Sequence, residues 1–137
     1  CSAQHPAVID EIARIHEETG RPVVLGVTDR LKYTLWWYAE HRLGLAPRPN
    51  PENIHDGLMR RFDWLTIYTL HYGEYRLFSA ETSHVLLDLD EMTTNEVPEK
   101  LESLQDYPIA HVRLYRRLPA RPLAANQEPT LSIVGTY

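Results

Sequence analysis

Val23-Val24-Leu25-Gly26-Val27 is an unbroken apolar run with no polar position inside it. A strand with one wet face alternates apolar and polar residues, because successive side chains point to opposite faces. A run without alternation belongs to a strand buried on both faces, the usual state of a central strand covered by helices. The flanking residues agree. From Ala7 to Thr19, Val8, Ile12 and Ile15 recur at helical spacing, and Ile9 widens the stripe. Pro6 suits the start of that helix and Gly20 its left-handed stop. After the run, Thr28 or Asp29 is placed to cap a second helix that reaches Leu43 and stops at Gly44. Leu31, Leu35, Tyr38 and Arg42 define one face of it. The order helix, strand, helix predicts an α/β chain: a two-layer or three-layer sandwich around a mostly parallel sheet of about four to five strands, with flanking helices.

Pro47, Pro49 and Pro51 mark a loop, since alternate prolines suit neither a helix nor a central strand. A short helical turn is expected near Glu52 to Arg61, and a second strand from Asp63 to Leu70. His71 to Ser79 reads as a short helix, with Tyr75 to Phe78 as a strand the alternative. His84 to Leu89 reads as a third strand and Val97 to Leu104 as a short helix with Pro98 in its first turn. Ile109 to Tyr115 alternates and so reads as a half-exposed or edge strand. The chain of 137 residues fits one domain, here residues 1–117, followed by a proline-broken tail over 118–137 with a last strand near Thr130 to Val134.

Charge excludes one class of partner. The formal net charge is -5, and the one compact basic group is Arg113, Arg116 and Arg117, so a nucleic-acid partner is not expected. Cys1 is the one cysteine, and no internal disulfide can form. No apolar run approaches the ~18 residues of a membrane span. The chain begins without Met, and three readings of that start stay open: a cut in a longer chain, the acylated cysteine of a lipoprotein, and a tag remnant or simply the first ordered residue.

Three stretches are candidates for a ligand site. Gly26-Val27-Thr28-Asp29 hands the first strand to a helix, where open α/β sheets bind ligands. It lacks both the dinucleotide and the P-loop glycine patterns, and Asp29 would repel a phosphate. Asp88-Leu89-Asp90-Glu91 is the densest group of carboxylates, but Thr93 stands where a calcium-binding EF-hand loop needs glycine, so no metal is assigned. The seven histidines form neither an H-x-H nor an H-E-x-x-H pair, and no G-x-S-x-G elbow exists. No catalytic residue and no cofactor is assigned. Tyr33-Thr34-Leu35-Trp36-Trp37-Tyr38 is the most distinctive text. It fits either aromatics packed on the sheet or a surface for carbohydrate, lipid or partner contact. The candidate ligand-binding residues are therefore Thr28, Asp29, Tyr33, Trp36, Trp37, Asp88 and Asp90.

The strand, the aromatic helix and the late phrase Val112-Arg113-Leu114-Tyr115-Arg116 together resemble the soluble C-terminal region of polytopic membrane glycosyltransferases of the dolichyl- or polyprenyl-phosphate sugar type. Thr34 departs from the pattern, standing where proline is common in such tails. The resemblance implies an extracytoplasmic accessory domain, tethered to a membrane through segments outside this chain. Its partners would be a lipid-linked sugar or the membrane domain of the parent protein. It transfers no catalytic residue, because the catalytic carboxylates of such enzymes lie near their first membrane spans. Two other readings stay open: a stand-alone small-molecule-binding or hydrolytic protein, with a cytoplasmic location and a site at the strand ends, and a lipoprotein-type interaction module using Trp36 or Trp37.

Overall fold

The computed structural model describes residues 4–49, 58–70, 81–91 and 101–118. Helix α1 spans Gln4–Thr19 and strand β1 Val23–Val27; a 3-10 turn, Asp29–Leu31, leads into α2, Lys32–His41. Five further strands follow: β2 Met59–Arg61, β3 Leu65–Thr69, β4 His84–Asp88, β5 Leu101–Tyr107 and β6 Val112–Arg117. The expected short helix at His71 to Ser79 and the expected tail strand at Thr130 to Val134 lie outside the described residues.

The chain is mixed α/β, built on one six-stranded sheet in the order β2-β3-β1-β4-β6-β5. β1 pairs in parallel with β3 on one side and β4 on the other. The pairs β2·β3, β4·β6 and β5·β6 are antiparallel. The expectation of a mostly parallel sheet of four to five strands is therefore corrected. The reason is connection length. Only Phe62-Asp63-Trp64 separates β2 from β3, and only Pro108 to His111 separates β5 from β6. Such links close hairpins and are far too short for a parallel crossover. The two missed strands, β2 and β5, replace the expected helical turns over Glu52 to Arg61 and Val97 to Leu104 wherever those segments are described. β6, expected as an edge or half-exposed strand, is partly exposed but not at an edge: it lies between β4 and β5.

The apolar residues sort by strand alternation into two clusters. The first joins Val8, Ile9, Ile12 and Ile15 of α1 and Leu35, Trp36 and Ala39 of α2 to Val23, Leu25, Val27, Leu65, Ile67, Leu86, Val112 and Leu114 of the sheet. The second holds Tyr68, Leu70, Val85, Leu87 and Tyr115, with Val24, Met59 and Leu101 against it. β1 thus contributes to both clusters, as its unbroken apolar run requires. Two contacts fix the helices. Arg42 clamps Asp10 through two hydrogen bonds of 2.7 and 2.8 Å, tying α2 to α1 and holding the Asp10 carboxyl below its usual range. His16 stacks on Trp64 with ring centroids 4.3 Å apart, tying the end of α1 to the β2–β3 turn.

Gly26 is the one position in β1 without a side chain, and the register explains it. Tyr68 lies directly opposite, and its ring crosses the space a side chain would fill. A Cβ at Gly26 would stand 2.8 Å from Leu70 Cδ2 and 3.0 Å from the Tyr68 hydroxyl oxygen. That hydroxyl is hydrogen-bonded to Thr82 Oγ1, so the ring cannot swing away without losing a buried bond. Gly26→Ala is expected to destabilise the fold by about 1–3 kcal/mol, read as a lower urea midpoint at unchanged slope.

Burial sets one pH response. His84, at the start of β4, is buried, and burial followed by the nearby charge of Arg116 lowers its pKa from 6.5. Below 6.5 the unfolded chain takes up a proton that the folded chain resists. The contribution of neutral His84 is complete above 6.5 and is lost as pH falls through the lowered folded value. Denaturation measured across that window should show stability falling with pH, and His84→Gln should flatten the slope.

Candidate functional site

Chain direction makes one end of the sheet special. From β1 the chain moves to β3, then returns past β1 to form β4. Strand order reverses between β1 and β4, and in open α/β sheets ligands bind outside the carboxyl ends of the strands at such a switch point. The segments leaving β1 and β4 meet there.

Thr28 follows β1 directly and is buried. Its expected role as a helix cap is corrected: the Thr28 side chain makes no capping bond. Its Oγ1 instead accepts the backbone N–H of Asp88, the last residue of β4, at 3.0 Å. Asp88 is buried, and a buried carboxylate must be answered by donors or cations. Its Oδ1 accepts the Asp90 N–H at 2.9 Å, and its Oδ2 lies 3.6 Å from Arg30 Nε. The first bond is the short loop that aspartate forms with backbone two residues on, and it turns the chain out of β4. Asp90 therefore lies in a turn, beyond the end of β4.

The turn also ties neighbouring elements together. Glu91 Oε1 accepts the Arg30 N–H at 2.7 Å. Asp90 Oδ1 is 3.2 Å from Nδ1 of His111, in the turn before β6, and the Leu89 N–H donates to the His111 carbonyl at 2.8 Å. His111 has φ 56°, a left-handed conformation that is uncommon for a residue with a side chain. Asp29 is exposed on the rim and pairs with Lys32, whose side chain is buried.

Four of the seven predicted residues thus come together: Thr28, Asp29, Asp88 and Asp90. The aromatic ones divide. Tyr33, 64% exposed, follows Lys32 at the same end of α2 and meets the Trp36 ring edge-on at 5.1 Å. Trp36 is in the core cluster, with the Arg60 guanidinium 4.8 Å from its ring centre. Trp37, 53% exposed, stacks on His41 one turn further from the strand ends. Sequence reasoning missed Arg30, Lys32 and His111. Lys32 had a readable signal, since it stands four residues before Trp36 and so shares its helix face.

Among the described residues, no group of three or more His, Cys, Asp or Glu is placed to hold a metal ion. Arg113 and Arg116, the basic group of β6, pair with Asp106 and Glu102 of β5. Compared with known proteins, the chain matches no family model, no curated protein and no solved structure.

The Thr28 hydroxyl is the tie between the two strand ends. Thr28→Val keeps the shape but leaves the Asp88 N–H buried without a partner, and is expected to cost about 1–3 kcal/mol. Thr28→Ser keeps the oxygen and should restore most of that loss in a denaturant titration.

Proposed function

We propose that this chain is a non-catalytic binding domain of a membrane-associated, glycosyltransferase-like protein, and that it holds a hydroxyl-rich ligand where β1 and β4 end. One observation carries the reading: the exits of these strands are tied together by Thr28 and Asp88 at the switch point of the sheet. The groups gathered there suit hydroxyls. Asp29 and Asp90 offer acceptor oxygens on exposed side chains, and Arg30 offers donors. The exposed ring of Tyr33 offers a flat apolar face to the C–H side of a sugar. The acids of this cluster already face cations or donors, an arrangement that orients a ligand and does not prepare a nucleophile.

The wider context rests on the aromatic helix and the Leu-Tyr-Arg phrase of β6. We read the ligand as a lipid-linked sugar, or a sugar-bearing acceptor presented by the membrane part of the same protein, on the extracytoplasmic side. No helix among the described residues is long and apolar enough to cross a membrane, so in this reading the spans belong to other segments of the parent. We read α1 and α2 as a single layer on the mixed sheet. The exposure of Trp37 favours a second reading, in which α2 is a protein-contact surface.

The test is a titration of isotope-labelled protein with glucose, galactose, mannose and N-acetylglucosamine, followed by backbone amide shifts. Saturable shifts centred on Thr28 to Lys32 and Asp88 to Glu91 are expected with at least one sugar. No saturable shift at either segment with any of the four overturns the proposal. A parent reading frame without hydrophobic spans would remove the membrane context alone.

A further inference from the structure

Among the described residues, two buried polar atoms on the α2 side of the sheet have no hydrogen-bond partner: Trp36 Nε1 and Thr69 Oγ1. Both residues are more than nine-tenths buried, with 8% relative exposure each. A buried donor without a partner costs free energy, and nearly all such groups in folded chains are paired. Two on one side of a small sheet therefore point to something that pairs with them.

Strand register and helix spacing place both on one flank of the fold with a third group, Lys32. Thr69 is the last residue of β3 and lies beside Val27, the last residue of β1. Strand alternation turns its side chain to the same side as Leu65 and Ile67, which pack with α2. Arg60 pairs with Ile67 in the register and its guanidinium lies 4.8 Å from the Trp36 ring centre, and Trp36 shares a core cluster with Ile67. Helical side chains lean toward the helix N-terminus. That lean carries the indole toward the end of β3, where α2 begins. Lys32 is the first residue of α2, one turn above Trp36, and its side chain is only 7% exposed. No side chain caps the start of α2.

All three groups can donate, and two can only donate. An indole N–H has no acceptor, and an ammonium has three donors, of which Lys32 gives one to Asp29. Donors without acceptors call for a group that is all acceptor. We propose that the end of β3 and the start of α2 seat an oxyanion of the ligand, a carboxylate or a phosphate, on Lys32 Nζ, Trp36 Nε1 and Thr69 Oγ1. The inference rests on the strand-end reading above and adds the charge class of the ligand. Asp29 pairs with Lys32 from the rim, with its side chain 67% exposed, and is free to swing into water when the oxyanion enters. The repulsion expected between Asp29 and a phosphate is thereby relieved. Glu40, the other acid on this flank of α2, is held by Arg60 at 2.6 Å.

The experiment follows the three indole N–H resonances while inorganic phosphate, acetate and, as an ionic-strength control, chloride are added. A saturable shift of the Trp36 indole with phosphate, acetate or both, and none with chloride, supports the seat and tells the two oxyanions apart. Thr69→Val is expected to weaken that binding about tenfold or more, the loss of one hydrogen bond to a charged group. The same substitution removes a buried unpaired hydroxyl, so thermal stability without ligand should hold or rise. Asp29→Asn should move affinity the other way and tighten binding. An unmoved Trp36 resonance, an equal response to chloride, or unchanged affinity in Thr69→Val overturns the inference. Sugar-induced amide shifts at Asp88 to Glu91 with a silent Trp36 would end this inference and leave the strand-end reading standing. An oxyanion response without any sugar shift would do the reverse.

Discussion

β1 is hydrogen-bonded along both edges and packed on both faces, and the rest of the molecule is arranged to make that state tolerable. Its amide groups are taken up by parallel ladders to β3 and β4. Parallel neighbours cannot follow β1 through a tight turn, so the chain must travel before it returns. The first journey includes α2 and the β2–β3 hairpin, which brings β3 back beside β1. The side chains of β1 then need cover on two sides. Val23, Leu25 and Val27 receive it from α1 and α2, while Val24 packs in the second cluster beside Tyr68, Val85 and Tyr115. Gly26 gives up its side chain so that Tyr68 can lie across the strand.

The same constraint places the candidate site. A strand with two parallel neighbours has all three carboxyl ends on one edge of the sheet, and the three segments that leave them compete for the same space. Thr28 and Asp88 resolve the crowding by bonding to each other. The carboxylate of Asp88 then lies buried beside Arg30, and its turn carries Asp90 to His111 and Glu91 to the Arg30 amide. The cluster is a consequence of how the sheet is wound, and its charges are balanced locally by residues from the turn after β1, the start of α2, the end of β4 and the β5–β6 turn.

What the sequence shows of this depends on how local each cause is. α1 is legible because its apolar stripe faces one core throughout, and β1 because burial on both faces suppresses alternation. β2 is not legible: Met59-Arg60-Arg61 carries no pattern of its own, and it is a strand because β3 is beside it. β5 is a misleading text. Glu102-Ser103-Leu104-Gln105-Asp106 has the composition of a solvent-facing helix, and it pairs with β6 as an exposed edge strand with a bulge between Ser103 and Gln105. Charges and a bulge are what a safe edge strand carries, which is why it does not look like a strand. At the site, Thr28, Asp29 and the Asp88–Asp90 pair are legible because they immediately follow strong strands. Thr69 is hidden, since a threonine at a strand end is ordinary, and only the packing of α2 against β3 leaves its hydroxyl alone.

The two ends of the sheet are not equally finished. At the amino end of β4 the polar groups close on one another: Ser83 exchanges bonds with both the N–H and the carbonyl of Val24, accepts from the Arg117 N–H through its own carbonyl, and meets His84 Nδ1 at 2.9 Å. The buried atoms left without partners among the described residues are His5 Nδ1, Trp36 Nε1 and Thr69 Oγ1. Thr69 ends β3 at the carboxyl edge, and Trp36 leans toward it. His5 follows Gln4, whose side chain accepts the Ala110 N–H in the turn that carries His111, so the start of α1 belongs to that edge as well. A fold that tolerated unpaired groups at random would scatter them over both ends. Among the described residues the unpaired groups gather toward the edge where β1, β3 and β4 terminate, which is where the proposed oxyanion would supply an acceptor.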